Sequence, residues 1–467
     1  MRRKWGAVAT FVLIALVTNV LAQDSSAAKE TENRENTRLQ AVANSEAEQP
    51  KPETEPQEEM AKYPDPNKIP YRTKKSALVH FLSIPSKIWH LVWSPIGSTV
   101  IWVEQNRVHE KLINFFLNDE RTAGFYPLAS FGGNTGAGIG INVFHNNLFN
   151  DRQKINASFL YSGTENNTAT VAYTDSTILG SSFYFNFLGD FFNDSDENLF
   201  ISGDVTPEDL RDSSIGANDS DEEDETSYST EQGGVQVDFG YAVNDRVGFG
   251  LTSSFKRADV DSGDGFGGER FPDNIPGSGA TSLYSIGTTF SFDFRNGWPR
   301  TLSGTLFRFG FQYNRELNGD RFEYNRYTVE VQQFIPIPIL AKNRRLGVRG
   351  IFEKLDRLND KQIPFYELSM LGDAENLRGF DQNRFRGRGS LLFNIEYRYP
   401  IWDTWDAVVF VDEGQVFDDL GDIELDEFHF AIGTGIRVMS PTGFAMRFEV
   451  GVSGEAVRAL FAITPNF

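Results

Sequence analysis

Asn376-Leu377-Arg378-Gly379-Phe380 opens the stretch that decides the fold. It continues through Asp381 to Gly389, with Arg384, Arg386 and Arg388, into two runs: Leu391 to Pro400 (LLFNIEYRYP) and Ala407 to Phe417 (AVVFVDEGQVF). Side chains of a strand alternate between its two faces. Leu391, Phe393, Ile395, Tyr397 and Tyr399 therefore share one side of the first run, and Leu392, Asn394, Glu396 and Arg398 the other. In the second run Ala407, Val409 and Val411 oppose Val408, Phe410 and Asp412. Each run carries an acid on a face that otherwise looks buried. A protein interior holds a carboxylate only when a cation or a set of donors answers it. Arg378, on the segment just before the runs, is the candidate cation.

These residues also carry a resemblance. Leu377-Arg378-Gly379-Phe380 resembles the [V/L/I]RG[F/Y] signature of the BamA/TamA superfamily of outer-membrane barrels, and NIEYRYP and FVDEG resemble the two strands that follow it there. The resemblance implies that the signature sits on a long loop folded into the barrel lumen. It further implies that Arg378 pairs with Glu396 and Asp412, that Gly379 permits close backbone approach, and that Phe380 packs on the wall. The likeness runs from about Gly124 to Phe467 and leaves the first quarter of the chain uncovered.

Composition narrows the classes. The 467 residues include 42 Gly, 41 Phe, 15 Tyr and no Cys, which excludes a disulfide scaffold, thiol catalysis and cysteine metal sites. Mean hydropathy is −0.37, and after the N-terminus no apolar run approaches the length of a membrane helix. A membrane β-barrel passes that test because its strands alternate. The net charge of −21 argues against nucleic-acid binding and suits long loops facing water.

In chain order, residues 1–22 read as a signal peptide: Arg2, Arg3 and Lys4, then an apolar core, then Val20-Leu21-Ala22. Residues 23–68, rich in Glu, Gln, Asn, Ser and Pro, read as a disordered acidic periplasmic tail. Residues 69–123 read as a helical pre-barrel segment. Trp89 and Trp93 lie one turn apart, and Ile101, Val108, Leu112 and Phe115 keep helical spacing, with Glu104, Gln105, Arg107 and Glu110 between them. Together with Trp102 and the basic groups, this fits helices at a membrane surface or against the barrel mouth, or else a small packing module without lipid contact. Relatives in the resembled family carry polypeptide-transport-associated (POTRA) domains here, and no such strand-helix alternation is visible.

From residue 124 to 467, alternating segments are split by Gly, Asn, Asp and Pro. Strands are expected at 124–133, 136–146, 153–163, 167–176, 180–192, 231–243, 246–258, 281–295, 301–315, 321–336, 343–358, 388–401, 405–417, 427–440, 442–452 and 458–467. The fold class is thus all-β: a sixteen-stranded antiparallel transmembrane β-barrel with a short N-terminal helical segment. An even strand count suits a closed bacterial barrel, and closure removes edges that lipid could not satisfy. Phe461 and Phe467 share the face of the last strand expected toward lipid and resemble a barrel assembly signal. Pro465 cannot donate a ladder bond, so the seam between last and first strands is expected to pair weakly. The intervals 193–230, 259–280 and 359–387 are expected as long outer loops, the first of them acidic, solvated and mobile.

Other constellations lead elsewhere. Asp259, Asp261 and Asp264 resemble the start of a calcium loop, but Gly263 takes a ligand place and Arg270 stands where a bidentate Glu is needed. Gly263, Gly265 and Gly268 match G-x-G-x-x-G with no helix behind them. His80, His90, His109, His145 and His429 have no metal spacing. No metal, cofactor or catalytic residue is therefore expected, and the chain is not read as an enzyme. Signal peptide and resemblance together place the protein in the outer membrane of a Gram-negative bacterium. The resemblance implies protein insertion, translocation or lipid handling. Its implied partners are outer-membrane lipid, barrel-assembly machinery and unfolded polypeptide clients, with one chain closing each barrel. The alternative is a passive pore or surface structural barrel.

Overall fold

The computed structural model describes residues 116–465, except 119, 121, 132–136, 150–152, 163–165, 202–217, 219–224, 264–270, 272–274, 297–300, 338–342, 402–404 and 440–443. The signal peptide, the tail, nearly all of the helical pre-barrel segment, the calcium-like aspartate Asp264 and Phe467 lie outside the described residues.

Strands follow one another almost without interruption. They are β1 (Ala123–Phe131), β2 (Ala137–Leu148), β3 (Gln153–Ser162), β4 (Asn166–Asp175), β5 (Phe183–Phe200), β6 (Glu225–Asn244), β7 (Val247–Ser262), β8 (Thr281–Asp293) and β9 (Gly304–Glu316). Then come β10 (Glu323–Pro336), β11 (Arg345–Arg357), β12 (Ser369–Leu371), β13 (Phe385–Gly387), β14 (Gly389–Pro400), β15 (Trp405–Phe417), β16 (His429–Met439), β17 (Phe444–Val452) and β18 (Val457–Pro465). Every neighbour in the barrel is antiparallel, and the ring closes between β1 and β18. Sixteen of the described strands make the barrel; β12 and β13 pair only with each other, on the segment that carries Arg378.

The two faces invert the pattern of a water-soluble protein. Val235, Val237, Phe239 and Tyr241 alternate along β6 with their side chains exposed, as do Ile139, Ile141 and Val143 on β2. The opposite faces are polar and enclosed: Asn142 exchanges amide hydrogen bonds with Asn156 at 2.8 and 3.1 Å, and Thr252 donates to Asp238 at 2.6 Å. Apolar outside and polar inside is the arrangement that lipid, not water, stabilises. No described helix is long and apolar enough to cross a membrane.

One end of the barrel has short turns. At Asn244 the side-chain Oδ1 accepts from the backbone N–H groups of Arg246 (2.8 Å) and Val247 (3.0 Å), so a single Asn closes the β6–β7 turn. The other end is taller than the sequence suggests. β5 and β6 run to 18 and 20 residues, taking in 193–200 and 225–230 of the interval expected as a mobile acidic loop. The reason is a buried cluster among those loops. Leu199, Tyr228, Ala258, Val260, Phe271, Ile275, Phe365 and Tyr366 pack together and extend the ladder beyond the lipid-facing band. Asp259 and Asp261 lie within β7 rather than on a loop. Below this cluster Glu367 accepts from Lys256 at 2.7 Å, from Arg326 at 2.9 Å and from the Tyr324 hydroxyl at 3.1 Å. Burial raises the Glu367 carboxyl, but Lys256 and Arg326 outweigh it and hold the group below the usual carboxylate range.

Candidate functional site

Two places in the barrel depart from a plain cylinder: a charge network in the lumen and the seam where the ring closes.

The network is built by strand alternation and one inward loop. Asn394, Glu396 and Arg398 of β14, Phe410 and Asp412 of β15, Arg437 of β16 and Glu449 of β17 share the inner face. Between β13 and β12 the chain folds into the lumen and brings Arg378 there, 3% exposed. Its Nε and Nη2 donate to the two oxygens of Asp412, both at 2.7 Å, a bidentate pairing. Nη1 donates to Glu396 at 2.8 Å and to Glu449 at 3.2 Å. The guanidinium carbon stands 3.5 Å from the centre of the Phe410 ring, a cation–π contact. Burial works against the charge of Arg378, yet Glu396 and Asp412 hold its proton more tightly than an ordinary arginine's.

Three carboxylates need more than one cation. Arg437 donates to Glu396 and Glu449, each at 2.8 Å, and Arg398 to Glu396 at 2.7 Å. Three guanidinium groups thus meet three carboxylates, and the set is neutral as a whole. The structure brings Arg378, Glu396 and Asp412 together. It adds Glu449, Arg437, Arg398 and Phe410, which the sequence reading did not assign to the site. A signal for two of them existed: Glu449 is the one acid in the β17 run FAMRFEVGV, and Arg398 stands two residues from Glu396 on the same strand face.

Gly379 takes a φ of +100°, a conformation that side-chain-bearing residues rarely adopt. It lies against Gly451 of β17, where an added Cβ would meet the Gly379 nitrogen at 2.9 Å. Two glycines are what let the loop backbone touch the wall. Phe380 is buried edge-on to Phe385 (5.3 Å) and His429 (5.7 Å), and Phe385 stacks on His429 at 3.7 Å. Further ties fix the loop. Asn394 donates to the Asn376 carbonyl (2.7 Å), Ser453 to the Gly379 carbonyl (2.8 Å), Arg349 to the Glu375 carbonyl (3.2 Å), and Arg458 pairs with Asp381.

The seam is the opposite case. β1 and β18 share two register pairs among the described residues, Ser130 with Ala462 and Phe131 with Phe461. On their other sides β1 meets β2, and β18 meets β17, at nine positions each. Phe461 therefore lies at the seam, its ring 4.5 Å from that of Phe448. Among the described residues no group of three His, Cys, Asp or Glu side chains is placed to hold a metal.

This geometry has counterparts. The profile of the Omp85 superfamily domain matches residues 147–458, well over half of the chain. Among solved structures the fold is similar to that of BamA from Haemophilus ducreyi lacking POTRA domains 1-3, at TM-score 0.52 and 13% identity, over 73% of this chain and 70% of that one. CdiB from Acinetobacter baumannii (TM-score 0.47, 13% identity, 73% of this chain, 59% of that one) and CdiB from Escherichia coli (0.47, 12%, 73%, 62%) also match. No curated protein matches the sequence.

Proposed function

Because this chain belongs to the Omp85 superfamily, as its Leu377–Phe380 signature indicated, we propose that it is an outer-membrane barrel that inserts or translocates polypeptides, or handles lipid, at its seam. The observation that carries this reading is the contrast in pairing around the ring. Among the described residues the seam has two register pairs and every other junction eight or more, and the junction with the fewest pairs is the cheapest place to part a barrel. Parting it exposes strand edges to lipid, where unsatisfied backbone groups are costly. An incoming strand can satisfy those edges by pairing with them. The short-turn end is then periplasmic and the tall end faces outward.

In this reading the Arg378 network is a lock. It ties the inward loop to β14, β15 and β17, so that strain from seam opening is borne by a braced wall. The inward loop also supports this reading over a passive pore, because it fills lumen that an ion would have to cross. Phe461, beside the seam, and Phe467 serve as the signal by which the barrel itself is assembled.

A disulfide across the seam tests the proposal. The protein has no cysteine of its own, so Ser130→Cys with Ala462→Cys gives a single possible bridge. Cells depleted of the wild type and supplied with the bridged form should lose the same outer-membrane or secreted proteins as depleted cells, and reductant should restore them. Normal levels with the bridge fully formed would refute seam-dependent handling. High, ohmic planar-bilayer conductance of the wild type would favour the pore.

A further inference from the structure

On the side of the ring opposite the seam, the outward face of β7, β8 and β9 changes chemistry within one strand step. Along β7 Leu251 and Phe255 are exposed on the lipid side, and the next outward position is Arg257. Along β9 Phe307 is exposed, Phe311 and Tyr313 follow on the same face, and the next outward position is Arg315. Between them β8 presents Ile286, then Tyr284, then Ser282. The apolar band thus ends at Phe255, Tyr284 and Tyr313, and two arginines stand at its rim toward the tall end.

Neither arginine has its charge closely answered. Arg257 is exposed and forms no ion pair or hydrogen bond with a described residue. The Arg315 side chain, 56% exposed, stands 3.9 Å from one oxygen of Asp320, whose other oxygen accepts from Lys361 at 2.6 Å.

The strand register sets the two side by side. Arg257 is opposite Ser282 and Arg315 opposite Tyr284, so they lie two strands apart with an offset of two residues. With strands about 4.8 Å apart and a rise of about 3.4 Å per residue, their Cα atoms are roughly 12 Å from one another. Two extended arginine side chains can span that gap toward a ligand between them. Small neighbours leave the space open. Ser282 flanks Arg257 on one side and Gly233 on the other, where an added Cβ would meet nothing nearer than 3.9 Å. Glu231 and Asp259 face each other one outward step further along β6 and β7. Their charges repel an anion there and confine it to the surface of β8.

We propose that Arg257 and Arg315 together bind the phosphate monoester of an outer-leaflet lipid, whose acyl chains lie along Phe255, Tyr284 and Ile286. A phosphate monoester carries about −1.5 to −2 charge at pH 7, which matches two guanidinium groups, whereas a diester headgroup carries a single charge. Arginine suits the task because its planar fork donates paired hydrogen bonds to phosphate oxygens. The leaflet rests on the orientation proposed above, with the tall end outward; the headgroup chemistry does not depend on it.

Native mass spectrometry of the purified full chain in detergent, titrated with lipid A (a monoester) or phosphatidylglycerol (a diester), tests the headgroup. Lipid A should be retained about tenfold more tightly, the worth of one further charge-assisted hydrogen bond. Arg257→Ala combined with Arg315→Ala should remove that preference. So should Gly233→Glu, which sets a carboxylate beside Arg257 and keeps both cations. Arg388→Ala, at the same end but already facing Asp418 and Asp419, should preserve it. Heat-modifiable gel mobility would verify that each variant is a folded barrel. Equal retention of the two lipids by the wild type overturns the proposal, as does an unchanged preference in the double variant or its loss in Arg388→Ala. Orientation is read separately in the otherwise cysteine-free chain: on intact cells a membrane-impermeant maleimide should label Ser262→Cys, exposed at the tall end of β7. An unlabelled cysteine would overturn the outer-leaflet assignment and leave the headgroup chemistry standing.

Discussion

The walls on the two sides of the seam are built differently. β14–β17 are held together twice, by their own ladders and by a loop that binds three of them through Arg378. β1–β4 have their ladders and light polar pairs such as Asn142 with Asn156 and Gln153 with Asp175. Barrel strands are nominally equivalent, so the difference comes from what each wall presents inward. Charged residues on β14–β17 demand partners and recruit a loop. Short amides on β1–β4, such as Asn142 and Asn156, satisfy each other across neighbouring strands. The barrel is thus stiff on one side of its seam and compliant on the other.

Removing the brace should abolish this contrast most completely. Arg378→Ala leaves Asp412, Glu396 and Glu449 buried with one guanidinium fewer, a loss of about 3–5 kcal/mol for such a network. The gel-shift temperature at which the folded barrel melts should fall markedly. Arg378→Lys, which keeps the charge but not the fork, should fall between mutant and wild type. A wild-type melting temperature for Arg378→Ala would mean that the loop braces nothing. Gly451→Ala probes the same contact without touching a charge. Its methyl would press on the Gly379 backbone, and overpacking of this kind costs about 1–3 kcal/mol.

The compliant side can be measured directly. By hydrogen exchange in detergent or nanodiscs, the amides of Leu128 and Ala129 should exchange before those at 408–412, because β1 has fewer described pairs on its seam edge than β15 has on either side. Equal protection would erase the comparison. The smallest effect belongs to the tall end, away from both walls. The Glu367 carboxyl is held below its unfolded value, about 4.3, so its contribution is complete above that pH. It is lost as pH falls through the depressed folded value. Glu367→Gln should flatten the acid limb of a stability–pH curve by about 1–3 kcal/mol, and an unchanged limb would assign acid sensitivity to another group.

Much of this was legible in the residues themselves. Period-two alternation places all sixteen staves, because lipid outside and polar lumen inside write opposite chemistries on successive side chains. Arg378, Glu396 and Asp412 stand out because a charge on an otherwise enclosed face needs an answer. Arg437 did not, since its membership depends on register across β15–β17, and Glu449 was marked only as the lone acid of its run, with nothing local to name its partners. The lengths of β5 and β6 were hidden for a related reason. Leu199 and Tyr228 stand in polar surroundings in the sequence, and only contacts with Phe271 and Phe365, over 40 residues further on, make them a core.

The lock also has a bearing on the order of folding. All six charged members of the network, from Arg378 to Glu449, fall within the last fifth of the chain, so they can meet without waiting for distant segments. Closing the ring, by contrast, must bring Phe131 to Phe461, the longest loop the chain has to close and among its slowest steps. The expectation is a hierarchy in which a C-terminal nucleus of strands and loop forms early and the first stave arrives last. Refolding intermediates should then carry a protected Arg378 core while their two outermost strands remain apart.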